Sequence, residues 1–139
     1  MPEDDLENWS ALGVAGALAR NYAQDQKGFL SELAVVLETA MPPETVAVTR
    51  RPVRLFSSKK KVVAVVVRLG NDVYTLMDWD DHAPLLARRE KVVRGIKLKT
   101  DDISVHDWLA AVADAVMARA KENEQAFFAL RNFLEIKGL

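Results

Sequence analysis

Two stretches near the start of the chain carry apolar residues at helical spacing. From about Asp4 to Ala23, Trp9, Leu12, Val14, Leu18 and Tyr22 form a loose apolar face, weakened by Gly13 and Gly16. Acidic residues in its first turn complement the helix dipole. The pattern resets around Asp25 to Gly28, and Phe29, Leu30, Leu33, Val36, Leu37 and Ala40 then recur until Pro42-Pro43 forbids a further turn.

After the prolines the period shortens to two. Val46 and Val48 alternate with Ala47 and Thr49, which predicts a strand over about Thr45 to Arg50. Lys61 to Leu69 holds five valines without strict alternation, the pattern of a central strand covered on both faces. Gly70-Asn71-Asp72 supplies a tight hairpin turn, and Val73 to Trp79 returns. Asp80 to Pro84 reads as a loop. Leu86 to Lys99 alternates well enough to be one long or bulged strand, with Gly95 as its irregularity.

The last element is announced by a cap. Ser104 is a good N-cap, Asp107 sits three residues on as a short capping-box partner, and Ile103 with Trp108 forms a hydrophobic staple. No proline or glycine follows before Gly138, and Val112, Val116, Ala120, Asn123, Phe127, Leu130 and Leu134 continue one stripe. The order is therefore α-α-β-β-β-β-α. It predicts a single α+β domain over residues 1–139, an antiparallel sheet of three to four strands flanked by two N-terminal helices and one long C-terminal helix.

The stretch from Val92 to Thr100, followed by Trp108-Leu109 and an Ala-rich helix, resembles a small uncharacterised bacterial protein family of actinobacterial type. The likeness runs over roughly Phe29 to Leu134 and rests on core and strand residues. It implies a bacterial, cytoplasmic origin and transfers no site, cofactor or activity.

Composition agrees with one folded domain. The chain has 139 residues, half of them hydrophobic and 28% charged, which suits a globular core and not a disordered segment. Without cysteine there is no disulfide framework, thiolate metal site or cysteine nucleophile. The first residues are acidic where a secretory signal would be basic, and no apolar run approaches the ~20 residues of a membrane span. A cytoplasmic protein with no membrane partner is expected.

Charge changes this picture most. The net charge is −1, yet residues 50–99 hold 13 Lys and Arg against 5 Asp and Glu, while residues 1–49 hold 2 against 8 and residues 100–139 hold 4 against 7. Such a polarised molecule attracts phosphate, an acidic partner, or the acidic ends of a second copy. Arg50, Arg51, Arg54, Lys59, Lys60 and Lys61 flank the loop between the first two strands. Arg89, Lys91, Lys97 and Lys99 occupy alternate positions of the last strand, so they are expected to share a basic face, with Val92, Ile96 and Leu98 turned to the core. Those ten residues form the expected partner-binding surface.

Chemistry-bearing sets are sparse. Asp78, Asp80, Asp81 and His82 cluster in one loop but lack the spacing, turn glycine and distal Glu of a calcium loop. His82 and His106 are not spaced as helical zinc ligands. No nucleophile, base and orienting group assemble, and phosphate-loop and dinucleotide fingerprints are missing. No metal, cofactor or catalytic residue is expected.

The final stripe predicts association. A helix from Ser104 to Ile136 would run about 50 Å, against about 27 Å for an eight-residue strand, so its far half overshoots the sheet. Phe127, Leu130 and Leu134 would then face a second copy, with Asn123 as a register-fixing polar residue in a heptad seam. The alternative cover is the N-terminal helix of the same chain. The functional expectation is a non-enzymatic interaction or adaptor domain for a protein partner, self-associating through its helices; the alternative is a nucleic-acid-binding protein using the same basic patch.

Overall fold

The computed structural model describes residues 11–56, 58–80 and 83–136. The expected start of the first helix, with Trp9, lies outside these residues, as do Asp81 and His82. The side chains of Leu12 and Leu134 are likewise outside what is described.

The first two helices are α1 (Ala11–Gln24) and α2 (Gln26–Ala40). The reset between them is a cap: Asp25 leaves helical geometry and its carboxylate accepts from the Gly28 N–H at 3.0 Å. Met41 closes α2, and a short 3-10 turn over Pro43–Thr45 delivers the chain into the sheet.

Five strands follow, where three to four were predicted: β1 (Val46–Pro52), β2 (Lys60–Leu69), β3 (Asp72–Met77), β4 (Leu86–Val93) and β5 (Ile96–Ile103). They pair antiparallel in sequence order. The extra strand arises because the predicted strand from Leu86 to Lys99 is a hairpin. Arg94 and Gly95 both take left-handed φ, 52° and 79°, as a two-residue turn of the I′ kind requires. Arginine is a poor signal for that conformation, and the alternation running through the turn hid it. A register shift also falls between Lys91 and Val92.

The long final helix is two helices, α3 (Val105–Glu122) and α4 (Glu124–Ile136). Ser104 caps α3 as predicted, its Oγ accepting from the Asp107 N–H at 3.0 Å. Asn123 then adopts extended geometry, and its Oδ1 accepts from the Ala126 N–H at 2.8 Å. The residue read as a register-fixing polar group in a coiled-coil seam is thus the N-cap of a new helix. The break lets α4 fold back and pack against α3 and α2.

All helical packing falls on one face of the sheet. Val65, Leu76, Ala87 and Ile103 stand opposite one another across β2 to β5, and all belong to the core or pack against it. Above them lie Phe29, Leu30, Leu33, Leu37, Trp108 and Leu109, each at most 2% exposed. Val66, Thr75 and Arg88 form the neighbouring row, point away, and take no part in that core. Among the described residues the helices therefore cover β2 on one face, where cover on both was expected. Its outward valine, Val66, remains half-buried because adjacent strands flank it.

Phe127 and Leu130 are 1% and 2% exposed within the chain's own core. Both are thus taken up inside one chain and are removed from the predicted self-association surface, whose third residue, Leu134, has its side chain outside the described residues. The helix overshoot that motivated it disappears at Asn123. Among the described residues no helix is long and apolar enough to cross a membrane.

Candidate interaction surface

The β1–β2 hairpin carries the first basic cluster. Its strands pair as far as Arg51 with Lys61 and Pro52 with Lys60, and the Val53 N–H donates to the Lys59 carbonyl at 2.9 Å to close the loop. Proline at the end of β1, an edge strand, removes no ladder bond from the sheet interior. Within the loop Phe56 sits at φ 64°, a left-handed conformation uncommon for a bulky residue. Leu55 and Phe56 are 85% and 97% exposed, and Val53 is also exposed.

The six predicted basic residues do not act alike. Arg50 keeps the phase of the core-facing Val46 and Val48 and so turns toward the helical layer, where its guanidinium meets Glu38 of α2 at 2.6 Å. Arg50 therefore leaves the patch and ties the strand to the helix. Arg51, Arg54 and Lys60 form no ion pair among the described residues, whereas Lys59 and Lys61 have partners. The tip thus joins three uncompensated cations to three exposed apolar side chains.

The connection from β3 to β4 emerges at the same end of the sheet. The Asp78 N–H donates to the Val63 carbonyl at 2.8 Å, continuing the β2–β3 pairing toward the basic hairpin. Trp79 is 60% exposed, and its indole N–H donates to the Pro84 carbonyl at 3.2 Å. Asp78 and Asp80 also have partners. Among the described residues no group of three His, Asp or Glu could hold a metal ion.

The second basic cluster is broken up by the β4–β5 register. Arg89, Lys91 and Lys99 lie on one face, since Lys91 stands opposite Lys99 and Arg89 opposite Asp101. Lys97 does not join them: it pairs with Val92 across the hairpin, and its ammonium meets Glu90 at 2.7 Å. Lys99 and Arg89 each reach Asp101 at 3.6 Å, and Arg88 meets Asp102 at 3.1 Å. The hydrogen bond to Tyr74 raises the Arg89 pKa above its ordinary value; slight desolvation opposes this and Asp101 reinforces it. The expected basic face is a ladder of mixed charge. Ile96 and Leu98, expected in the core, are 63% and 61% exposed because the turn carries them past the helical layer.

A hollow of about 430 Å³ lies between α2 and α4, bounded by Glu32, Val35, Thr39, Asn132 and Phe133. Thr39 spends its hydroxyl on the Val35 carbonyl at 2.8 Å. Among the described residues Glu32 is the only titratable side chain lining it, so they place no acid–base pair there.

Sequence reasoning marked the hairpin for its charge and missed its apolar tip. The signal was present: Val53, Leu55 and Phe56 fall between two strands, outside either period, where no neighbour is available to cover them. Comparison of the chain with known protein families, with curated proteins and with solved structures finds no match.

Proposed function

We propose that the protein is a non-enzymatic interaction module that docks an acidic protein partner through the β1–β2 hairpin. What carries this reading is the near-complete exposure of Leu55 and Phe56 beside Arg51, Arg54 and Lys60. Large apolar side chains held away from any core are costly in water unless a partner removes them from it. Cations around them steer an acidic surface into place and raise the on-rate more than the final affinity. Arg89, Lys91, Lys97 and Lys99 are secondary in this reading, because three of the four already face carboxylates.

The experiment is recovery of partner proteins from the native cell by the unmodified chain and by Leu55→Ser/Phe56→Ser. Both positions are solvated, so the double variant is expected to fold normally, shifting stability by less than ~0.5 kcal/mol per site. A partner recovered by the first and lost with the second supports the reading. Equal recovery by both removes the tip from it.

A second reading, single-stranded nucleic acid, is favoured by the exposed Phe56 ring among cations, the arrangement on which bases stack. Salt separates the two. Three cations on phosphates would give a log–log slope of about −2 for an oligonucleotide. A protein partner held by the apolar tip would show a shallower dependence.

A further inference from the structure

On the reading that the β1–β2 hairpin docks an acidic protein, we propose that the partner binds as an extended segment and adds a strand to the free edge of β1.

Hydrogen-bond phase identifies what that edge offers. The Val53 N–H donates to the Lys59 carbonyl, and the Val63 carbonyl faces β3, where it accepts from the Asp78 N–H. Backbone groups alternate in direction along an antiparallel strand. Ala64 and Val66 therefore face β1 and bond their register partners Thr49 and Ala47. Counted in twos, Val53, Arg51, Thr49 and Ala47 all turn their N–H and C=O groups to β2, and the residues between them turn outward. Val46 spends its outward N–H on the Pro43 carbonyl. The N–H groups of Val48 and Arg50 have no partner among the described residues, because β1 is the last strand of the sheet.

The two edges of the sheet differ. Strand β5 carries Lys97, Lys99, Asp101 and Asp102, and Leu98 is an extra residue in its pairing with β4. Charges and bulges are the ordinary guards of an edge against a second chain. From Val46 to Thr49 strand β1 carries no charge, and the extra residue of its ladder lies in β2. Its edge is an open template.

Charge selects the occupant. Past Thr49 the strand turns basic with Arg50 and Arg51, then enters the tip with Arg54 and Lys60 beyond it. Arg50 is taken by Glu38, and the other three form no ion pair among the described residues. A second copy pairing edge to edge would double the arginines of the seam without adding a carboxylate on either strand. An acidic segment meets them with opposite charge. Pro52 stands in the outward phase but has no N–H, so the row of donors ends at Arg50 and side chains take over at the tip. Main-chain bonds give such strand addition its affinity and side chains its specificity. Exposed Leu55 and Phe56 stand where the second is needed.

A synthetic peptide of alternating valine and glutamate, added to the full chain at neutral pH and low salt, tests this. Binding should slow amide exchange at Val48 and Arg50 by about tenfold or more, while Ala47 and Thr49, already bonded to β2, change little. Two N-methylated forms, each blocked along one edge of the peptide, separate backbone pairing from side-chain attraction. One should lose about tenfold or more in affinity and the other should keep it, since only one edge faces β1. Equal binding by the two forms, unchanged exchange at Val48 and Arg50, or no binding of the unmethylated peptide would each overturn strand addition. The hairpin reading would survive all three, because it stands on partner recovery with Leu55→Ser/Phe56→Ser. Protection of Val48 and Arg50 that grows with protein concentration alone would give the edge to a second copy, and protection by an oligonucleotide but not the peptide would give it to nucleic acid. Either result also overturns the proposal.

Discussion

The β1–β2 and β4–β5 hairpins are both rich in lysine and arginine, yet they present opposite surfaces to solvent. In β4–β5, Lys97 meets Glu90 and Lys99 shares Asp101 with Arg89, so the cations are spent within the ladder. In β1–β2, Arg50 is drawn off to a helix by Glu38 and Lys59 and Lys61 have partners, but among the described residues the tip keeps Arg51, Arg54 and Lys60 without an ion pair beside exposed Leu55 and Phe56. A local count of charges is therefore not a local field. Cross-strand neighbours decide which cations remain available, and exposed pairs of this kind are worth little in stability, at most about 1 kcal/mol each.

The severest break of this comparison removes the platform that both hairpins share. Leu130→Glu puts a charge among fully buried apolar residues, which costs several kcal/mol. The domain should lose its cooperative unfolding transition in urea, whatever the oligomeric state of the unmodified chain. A folded Leu130→Glu monomer would mean that α4 does not close on α2 and α3.

Charge reversal compares the hairpins directly. Arg54→Glu/Lys60→Glu should weaken partner binding by about tenfold or more, the effect of a lost 1.4 kcal/mol or greater. Lys97→Glu/Lys99→Glu should change it by less than about threefold, as those ammonium groups already face carboxylates. Titration of the recovered partner against both double variants checks the ratio. Equal losses would return the functional surface to the whole sheet.

Smaller effects sharpen the structural half of the comparison. Gly95→Ala forces a Cβ into φ 79° and should cost about 1 kcal/mol or more, read from the urea midpoint at constant m-value. Space is open around that position, so the loss reports backbone strain alone. Arg94→Gly should raise stability by a few tenths to about 1 kcal/mol by relieving left-handed strain at φ 52°. In the β1–β2 loop, Phe56→Gly should stabilise by a similar amount while removing the largest side chain of the apolar tip, which separates folding from binding at one residue.

Sequence and structure agree where a signal is confined to a few neighbouring residues. The Asp25 and Ser104 caps bond three positions along the chain, Pro42-Pro43 stops α2, and Gly70 at φ 65° opens the β2–β3 turn. Such features recur wherever their short motif occurs. They bounded most elements and placed the protein in the α+β class. Asn123 is local too, yet two roles fit it equally from sequence: a polar group in a heptad and a cap. Only the packing of Phe127 and Leu130 against the core, at 1% and 2% exposure, selects the cap.

The faces of the sheet were beyond the sequence. One-residue shifts opposite Thr49/Arg50 and Lys91/Val92, where Val63 of β2 and Leu98 of β5 are the extra residues, reverse the sides that Lys61 and Lys97 occupy, since the side-chain period of a strand is two. Alternation along a single strand carries no record of the partner strand, so it could place neither Lys97 beside Glu90 nor Arg50 beside Glu38. By itself the sequence determined most of the elements, the Asp25 and Ser104 caps and the concentration of positive charge in the middle third. The tertiary structure alone decided which cations are neutralised, which apolar residues stand at the hairpin tip and which face of the sheet is left uncovered, because those depend on contacts between residues far apart in the chain.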